Sequence, residues 1–350
     1  MARIYVRSPY IIEINVPLQQ STSIELFIWN GTGAAPASPQ YTLSKNVPSA
    51  NNVQTLYNIS NYVREYLAHS SVQSIYNSTA ATPTTQWCNV QVVKYSDGVL
   101  VGTESHNAFD GYGYYSEGSN FDNGVSSLDD GTYYYYNTGV TPVTNPLYYA
   151  GFFRASSIAL GTVVYTNLRT GATQTTTSFN TPYDYPCVYD TWYADGNKVE
   201  VKNSGGTVLN TFYFRPITEC RYEVVTCDFV NKSGAWQRTF FYKASSETLE
   251  VDNAEYNLMQ TDSLNYSIYE GQRQVFNANG KEFIRVNTGF VNDDYAEVLK
   301  QLMLSERILI NNQPAKVRTK SLEKQKQINT KMINYTLEFD YSFDTINSVV

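Results

Sequence analysis

Short alternating segments separated by turn-forming residues are the feature that most constrains the fold of this chain. Residues 198–202 and 207–214 flank an Asn-Ser-Gly-Gly turn, and residues 221–230 and 235–245 flank an Asn-Lys-Ser-Gly turn. Turns of this composition between two such segments are typical of β-hairpins. Because a hairpin joins neighbouring antiparallel strands, the sequence predicts antiparallel sheets in this part of the chain.

The same period of two recurs at both ends of the chain. Near the N-terminus, Ile24, Leu26 and Ile28 occupy every second position, and an Asp-Gly turn separates residues 87–95 from residues 99–101. Alternation of this kind is typical of a strand with one buried face. In the last predicted strand one face is formed by Ile333, Tyr335, Leu337, Phe339 and Tyr341.

Two segments show helical spacing instead. Apolar residues in 59–67 recur at i, i+3, i+4 and i+7, and Ser60 is in position to cap a helix there. A second apolar stripe ends at residue 303, with Asn292 or Asp293 as its cap. The predicted fold class is mainly β, with antiparallel β-sandwich modules, two or three short helices and an α+β C-terminal part.

Composition divides the chain into four predicted segments. Only 16% of the 350 residues are charged and 31 are Tyr, a balance that suits strands and polar turns. The segments are an N-terminal β-sandwich with one helix (1–105), a Tyr-, Gly- and Asn-rich insertion (106–190), antiparallel hairpins (191–245) and a C-terminal α+β module (246–350).

Clustered tyrosines in residues 106–190 are the first candidate interaction site. One interpretation is an insertion that packs on its own rings, and the other is a contact surface, since Tyr offers rigid contact area at little entropic cost. Stacking on sugar rings is a third use of such a surface. The candidate interface residues are Tyr112, Tyr114, Tyr115, Tyr133, Tyr134, Tyr135, Tyr136, Tyr148 and Tyr149.

A basic stretch near the C-terminus is the second candidate site. The formal net charge of the chain is −7 with a pI near 5.0, which argues against a general nucleic-acid binder. Within this background the stretch is interpreted either as a solvated edge or as a contact with an acidic partner or with DNA. Its residues are Lys316, Arg318, Lys320, Lys324 and Lys326.

Catalytic groups are few, and no enzyme is predicted. The two histidines, His69 and His106, have neither metal-ligand spacing nor an adjacent nucleophile motif. The acid pairs at 129–130 and 293–294 are interpreted as a turn and a helix start rather than as the facing carboxylates of a glycosidase. No catalytic residues are therefore assigned.

No cofactor or metal is predicted either. The chain lacks a Gly-rich phosphate-binding loop, and Asp-Gly residues at 110–111 and 122–124 lack EF-hand spacing, which leaves a calcium-binding loop open. The four cysteines are interpreted as reduced core residues. No stretch approaches the roughly 18–20 apolar residues of a membrane span, and the first residues lack a signal-peptide pattern.

Segments at both ends of the chain carry a resemblance to a known group of proteins. They are RSPYII (7–12), IELFIWNG (24–31), YNISNYVREYL (57–67), VNTGFV (286–291), LMLSE (302–306) and NYTLEF (334–339). Together they resemble virion tail proteins of tailed phages that infect Bacteroidetes, the crAss-like group included. The Tyr-rich segment 106–190 takes no part in the resemblance.

This resemblance implies a structural part of a phage tail or collar, located in the virion and assembled in the cytoplasm of the host bacterium. Such proteins form homo-oligomeric rings around the DNA channel, and their expected partners are further copies, other tail or portal-proximal proteins and, transiently, genomic DNA. The alternative is a receptor- or glycan-binding protein of the tail fibre or tip. The resemblance brings no catalytic residues with it.

Overall fold

A computed structural model gives the structure of most of the chain. It describes residues 3–31, 33–49, 53–68, 86–122, 125–137, 152–153, 160–177, 183–184, 188–258, 269, 271–321 and 332–347. The protein is mainly β, with mixed and antiparallel sheets, as the alternation predicts. It divides into two compact units. The first comprises Met1–Thr218, Asp228–Thr239 and Asp294–Ser305, and the second comprises Glu219–Cys227, Phe240–Asp293 and Glu306–Val350.

The N-terminal part of the first unit has a five-stranded sheet. Its elements are β1 (Arg3–Tyr5), β2 (Ile11–Asn15), β3 (Ser21–Asn30), β4 (Tyr41–Asn46), β5 (Gln54–Asn58), helix α1 (Ser60–Arg64), β6 (Trp87–Ser96) and β7 (Val99–Phe109). The strand order is β1-β7-β6-β3-β4, and β2 and β5 form a separate antiparallel pair. Strands β1 and β7 are parallel, whereas the other pairs of the larger sheet are antiparallel.

Alternation in β3 determines which face of this sheet is buried. Ile24, Leu26 and Ile28 are at most 2% exposed and belong to one apolar cluster with Ile14 of β2 and Tyr57 of β5. The small pair β2–β5 thus packs on the larger sheet. Removing each such side chain from water contributes about 1.5–3 kcal/mol, so this core holds the two layers together.

A second five-stranded sheet of the first unit combines residues on both sides of position 190. The elements are β8 (Gly131–Tyr136), β9 (Phe152–Phe153), β10 (Leu160–Asn167), β11 (Thr173–Thr177), β12 (Tyr183–Asp184), β13 (Asn197–Asn203) and β14 (Val208–Ile217). The order is β11-β10-β13-β14-β8, with β8 parallel to β14, while β9 and β12 pair separately. The compositional boundary near residue 190 therefore falls inside a sheet.

A seven-stranded sheet contains the remaining strands. The elements are β15 (Val225–Val230), β16 (Trp236–Phe241), β17 (Ser246–Asn257), β18 (Arg273–Asn292), helix α2 (Ala296–Met303), β19 (Ile308–Ile310), β20 (Gln313–Val317) and β21 (Met332–Asp344). The strand order is β16-β15-β19-β20-β21-β18-β17. The predicted apolar face of β21 is confirmed for Tyr335, Leu337, Phe339 and Tyr341, which are all less than 9% exposed, whereas Ile333 is only half-buried.

Helix starts differ from the predicted ones. Helix α1 has Ile59 at its N-cap without a side-chain cap, because the Ser60 hydroxyl instead accepts a hydrogen bond from the Tyr10 amide and donates one to the Ser8 carbonyl. The second predicted helix begins as a 3-10 turn (Asp293–Tyr295) before α2, again without a side-chain cap. The predicted Ser60 cap is therefore wrong, whereas the second predicted helical segment begins at Asp293, directly after Asn292.

The cysteine prediction is confirmed only in part. Cys88 and Cys227 are buried, as expected of core residues, whereas Cys220 is exposed. Cys187 lies outside the described residues. Cys220 follows the last residues of β14 in a segment without regular structure, where no sheet face covers it.

Candidate functional site

Most of the predicted contact tyrosines that the structure describes pack inside the first unit. Tyr135 is 1% exposed, and its hydroxyl donates a 2.5 Å hydrogen bond to the Tyr193 carbonyl. The Tyr193 hydroxyl donates in turn to the Tyr136 carbonyl, at 2.7 Å. The Tyr133 hydroxyl donates to the Asp129 carbonyl, also at 2.7 Å. These bonds direct the phenols of this run toward their own chain.

The remaining predicted tyrosines divide between buried and exposed positions. Tyr134 makes an edge contact with Tyr295 at a centroid distance of 5.7 Å, and Tyr112 is 9% exposed. Tyr115 is fully exposed at the start of a 3-10 turn, so its ring is available to a partner. Tyr148 and Tyr149 lie outside the described residues.

Tyr114 is the centre of a cluster of cations and carboxylates within the first unit. Its hydroxyl donates to Glu297 of α2 at 2.6 Å. Two ammonium groups contact its ring, Lys300 Nζ at 3.5 Å and Lys232 Nζ at 4.2 Å from the centroid. Contacts of this kind are worth about 0.5–2 kcal/mol each, more when they are shielded from water. The cluster joins the segment after β7 to α2 and to the β15–β16 turn.

Lys232 is the buried member of this cluster, in the turn between β15 and β16. Its side chain is 7% exposed and forms an ion pair with Glu117 at 2.6 Å. Its amide donates to Gln301 Oε1 at 3.2 Å, and Gln301 Nε2 donates to Asp129 Oδ2 at 2.7 Å. Each strongly polar group of the cluster thus has a partner, as a buried charge requires.

Two glycines allow this turn to approach the segment after β7. A Cβ on Gly111 would lie 2.6 Å from the Lys232 carbonyl oxygen, and one on Gly234 would lie 2.8 Å from the Asp110 backbone. Gly234 also has φ of 79°, a conformation that other residues rarely adopt. The Gly residues here therefore serve close packing of two backbones.

Burial determines the protonation behaviour of the cluster. It raises the pKa of Tyr112 to about 12 and, together with the bond to Glu297, raises the pKa of Tyr114. Burial also raises the pKa of Asp129, against the opposing effect of the hydrogen bond from Gln301. Both phenols therefore stay neutral at ordinary pH, where Tyr114 donates a hydrogen bond to Glu297 and both rings provide packing area rather than acting as nucleophiles.

Acids that sequence reasoning considered as catalytic or calcium-binding have other contacts. Asp122 forms an ion pair with Arg3 at 2.6 Å, and Asp130 accepts hydrogen bonds from Asn210 and from the Thr211 amide. Within the described ranges, no group of three or more His, Cys, Asp and Glu side chains is placed to hold a metal ion.

His106 belongs to a small polar network in the N-terminal sheet. It contacts the Tyr10 hydroxyl at 3.4 Å and Glu104 at 3.4 Å, and Glu104 also pairs with Lys94. Burial acts to raise the pKa of Glu104, but the ion pair with Lys94 and the contact with His106 outweigh it and lower that pKa. This arrangement has the form of a structural ion-pair network. His69 lies outside the described residues.

The basic stretch is exposed where the structure describes it. Lys316 lies on β20, opposite Asp340 of β21, and Arg318 and Lys320 follow the strand. Arg318 is within 3.5 Å of both Glu250 and Asp340 and stacks over the Phe283 ring at 4.2 Å. Lys324 and Lys326 lie outside the described residues.

Sequence reasoning missed the most exposed structured element, which we call the exposed arm and define as β17 with residues 273–279 of β18. Pairing of β18 with β21 begins at Lys281, so these residues have only β17 beside them in the described sheet. At about 3.4 Å per residue, they extend about 24 Å as a two-stranded ribbon. A two-stranded ribbon of this length is marginally stable by itself in water, which makes the exposed arm a candidate contact surface.

Apolar side chains of the exposed arm are open to solvent. All five are at least 44% exposed, three on β17, which is the edge strand of the described sheet, and two on β18. Single exposed apolar residues are ordinary, whereas several on one strand pair form a candidate contact surface. They are Leu249, Val251, Tyr256, Val275 and Phe276.

Comparison with protein families and curated proteins identifies no relative of this chain. No protein-family model matches the sequence, and no curated protein matches it. In the part of the chain that the structure describes, no helix is both long and apolar enough to cross a membrane. The function must therefore be argued from the described surfaces and from the sequence.

Proposed function

We propose that this chain is a structural component of a phage tail or collar that forms a homo-oligomeric ring around the DNA channel and contacts neighbouring ring, hub or fibre proteins. The observation that carries the proposal is the exposed arm, with apolar side chains on a long strand that has one free edge. Several exposed apolar side chains grouped on one strand pair are typical of a surface that contacts another chain.

The resemblance of the sequence at both ends to virion tail proteins supports the same role. In this proposal the packing of β2–β5 on the larger N-terminal sheet represents a β-sandwich module, and strands β17–β21 with helix α2, all within residues 246–350, represent the α+β part. The protein is located in the virion after assembly in the host cytoplasm. Net charge of −7 makes its contact with genomic DNA transient.

The interior of the first unit also favours a structural role over a catalytic one. Tyr112, Tyr114 and Tyr133 hold raised pKa values through burial, and Asp122, Asp129, Asp130 and Asp294 are engaged in hydrogen bonds or an ion pair. Catalysis needs groups in a shared cleft with pKa values near the working pH. The hydrogen bonds and ion pairs of the cluster instead hold segments of the first unit together.

Native mass spectrometry of the purified full chain, combined with negative-stain electron microscopy, tests the proposal. We expect one dominant oligomer of fixed copy number that images as a closed ring. A chain that remains monomeric at every concentration up to about 100 μM would overturn the homo-oligomeric role, since stable ring contacts have dissociation constants far below that value.

A receptor- or glycan-binding tail protein is the second candidate, and the full exposure of Tyr115 favours it. A free aromatic ring beside polar groups is what sugar stacking uses. Binding of the chain to host surface polysaccharide, lost in Tyr115→Ala and retained in Tyr134→Phe, would support this candidate. Absence of binding would leave the structural role as the better account.

A further inference from the structure

The charge of the exposed arm determines what kind of partner can cover it. Strand β17 carries four acidic residues and no basic one. All four are exposed: Glu247, Glu250, Asp252 and Glu255. A symmetric pairing of two β17 edges would bring eight acids and no base onto one strand pair, and like-charge repulsion disfavours such a pair. The charge of β17 therefore favours a basic partner surface different from β17 itself.

The same unit offers a basic surface of this kind. Lys316 and Lys320 are exposed, and neither has an ion pair with any residue that the structure describes. On the arm, Glu247, Asp252 and Glu255 likewise have no ion pair among those residues, whereas Glu250 is within 3.5 Å of Arg318 of its own chain. Among the described residues, each copy thus presents acids without an ion pair on the arm and bases without an ion pair on the stretch.

We propose that the exposed arm of one copy docks on the basic stretch of the next copy. This inference rests on the proposed homo-oligomeric function and names the surfaces that make the contact. Leu249 and Val251, each more than half exposed, supply apolar area, while the flanking acids meet Lys316 and Lys320. Complementary charge sets the orientation, and burial of the apolar side chains supplies affinity.

The proposed contact pairs two different surfaces, the arm of one copy and the stretch of another. When each copy uses its two surfaces on two different neighbours, the contact is heterologous and generates a closed ring if the rotation between copies closes, or a filament if it does not. When two copies exchange both contacts, the same surfaces form a two-fold dimer. The proposed ring requires the first arrangement, and the size of the oligomer in sedimentation velocity distinguishes it from the second.

Charge reversal on each surface tests the proposal. The arm variant is Glu247→Lys/Asp252→Lys/Glu255→Lys, the stretch variant is Lys316→Glu/Lys320→Glu, and Glu223→Lys is the control at an exposed acid outside both surfaces. Sedimentation velocity of the full chain measures association. We expect each reversed variant to associate at least about tenfold more weakly than the parent chain, because like charges then face each other. The control should associate normally.

Mixing the two charge-reversed variants provides the decisive measurement. The arm variant is basic on both surfaces and the stretch variant is acidic on both, so each should fail alone and the equimolar mixture should recover mixed oligomers. A mere folding defect would not be repaired by mixing. Far-ultraviolet circular dichroism and thermal melting of each variant check the fold independently.

The outcomes separate this inference from the function on which it rests. Normal assembly of both reversed variants would overturn the arm contact and leave the homo-oligomeric role intact. A stretch variant that assembles normally but loses retention of short duplex DNA would assign Lys316 and Lys320 to DNA and overturn the inference. A parent chain that never oligomerises would overturn both.

Discussion

Lys232 and Glu117 form an ion pair at 2.6 Å although they lie 115 positions apart in the sequence. The ammonium group also lies 4.4 Å from the Phe121 ring centroid and 4.2 Å from that of Tyr114. A buried cation needs such partners, because its transfer out of water is otherwise very costly. The turn at 231–234 is thereby fixed to the segment after β7.

Replacing Glu117 should lower the stability of the fold, because the buried Lys232 ammonium group then lacks a counter-charge. We expect Glu117→Gln to lower the free energy of unfolding by about 2 kcal/mol, because Lys232 keeps a hydrogen-bond acceptor but loses its counter-charge. Urea denaturation of the full chain measures the change. Glu223→Gln, at an exposed acid, is the matched control and should have no measurable effect. Equal stability of both variants would contradict the role of this ion pair.

The hydroxyl of Tyr114 provides a second stability test. Tyr114→Phe keeps the ring contacts with Lys232 and Lys300 but removes the 2.6 Å hydrogen bond to Glu297, so we expect a loss of about 1–2 kcal/mol. Tyr115→Phe, one residue further on and fully exposed, should change nothing. Differential scanning calorimetry compares the two. A Tyr114→Phe variant as stable as the parent would show that the bond contributes nothing.

The buried carboxyl of Asp129 should make the free energy of unfolding depend on pH in a definite direction. Burial raises the pKa of its carboxyl above the ordinary value, so its contribution favours the folded state at low pH and is lost as pH rises through the folded pKa. Asp129→Asn should abolish the loss of stability with rising pH, because the Asn side chain does not ionise, while its oxygen still accepts the hydrogen bond from Gln301. The variant should therefore gain stability relative to the parent between about pH 4 and pH 7. A constant difference across that range would contradict the assignment.

Much of the fold was predictable because its signals are local. A short turn containing Asn and Gly joins β13 to β14, and another joins β15 to β16. The alternation of Ile24, Leu26 and Ile28 identifies the buried face of β3 directly. The capping of α1 was not predictable, since Ser60 binds Ser8 and Tyr10, which lie about fifty positions away.

Features that depend on strands pairing across long sequence separations could not be predicted from the sequence. Strand β8 pairs in parallel with β14, so no hairpin turn connects them, and Tyr-rich composition gave no indication of the partner. Tyr135 is buried with its ring 5.2 Å from that of Tyr193, a contact that the composition of the run does not reveal. The exposed arm was missed because its exposure depends on where pairing with β21 stops, at Lys281 and Asp344.

A pair of leucines separates stability from assembly. Leu26 is fully buried, so Leu26→Ala should cost about 2–5 kcal/mol of unfolding free energy through lost burial and a residual cavity. Leu249, on the exposed arm, is 52% exposed, so Leu249→Ala should leave thermal stability of the dissociated chain unchanged and weaken association. Thermal melting and sedimentation velocity give the two readouts. Association unaffected by Leu249→Ala would argue against burial of the arm between copies.

Hydrogen–deuterium exchange of the exposed arm in the dissociated and the assembled chain tests the central claim most directly. The backbone amides along the free edge of β17 exchange readily while no partner covers them, whereas the buried strand β3 supplies an internal reference. We predict strongly slowed exchange across residues 246–257 on assembly, with β3 unchanged. Oligomers in which these residues exchange as fast as in the dissociated chain would contradict the account.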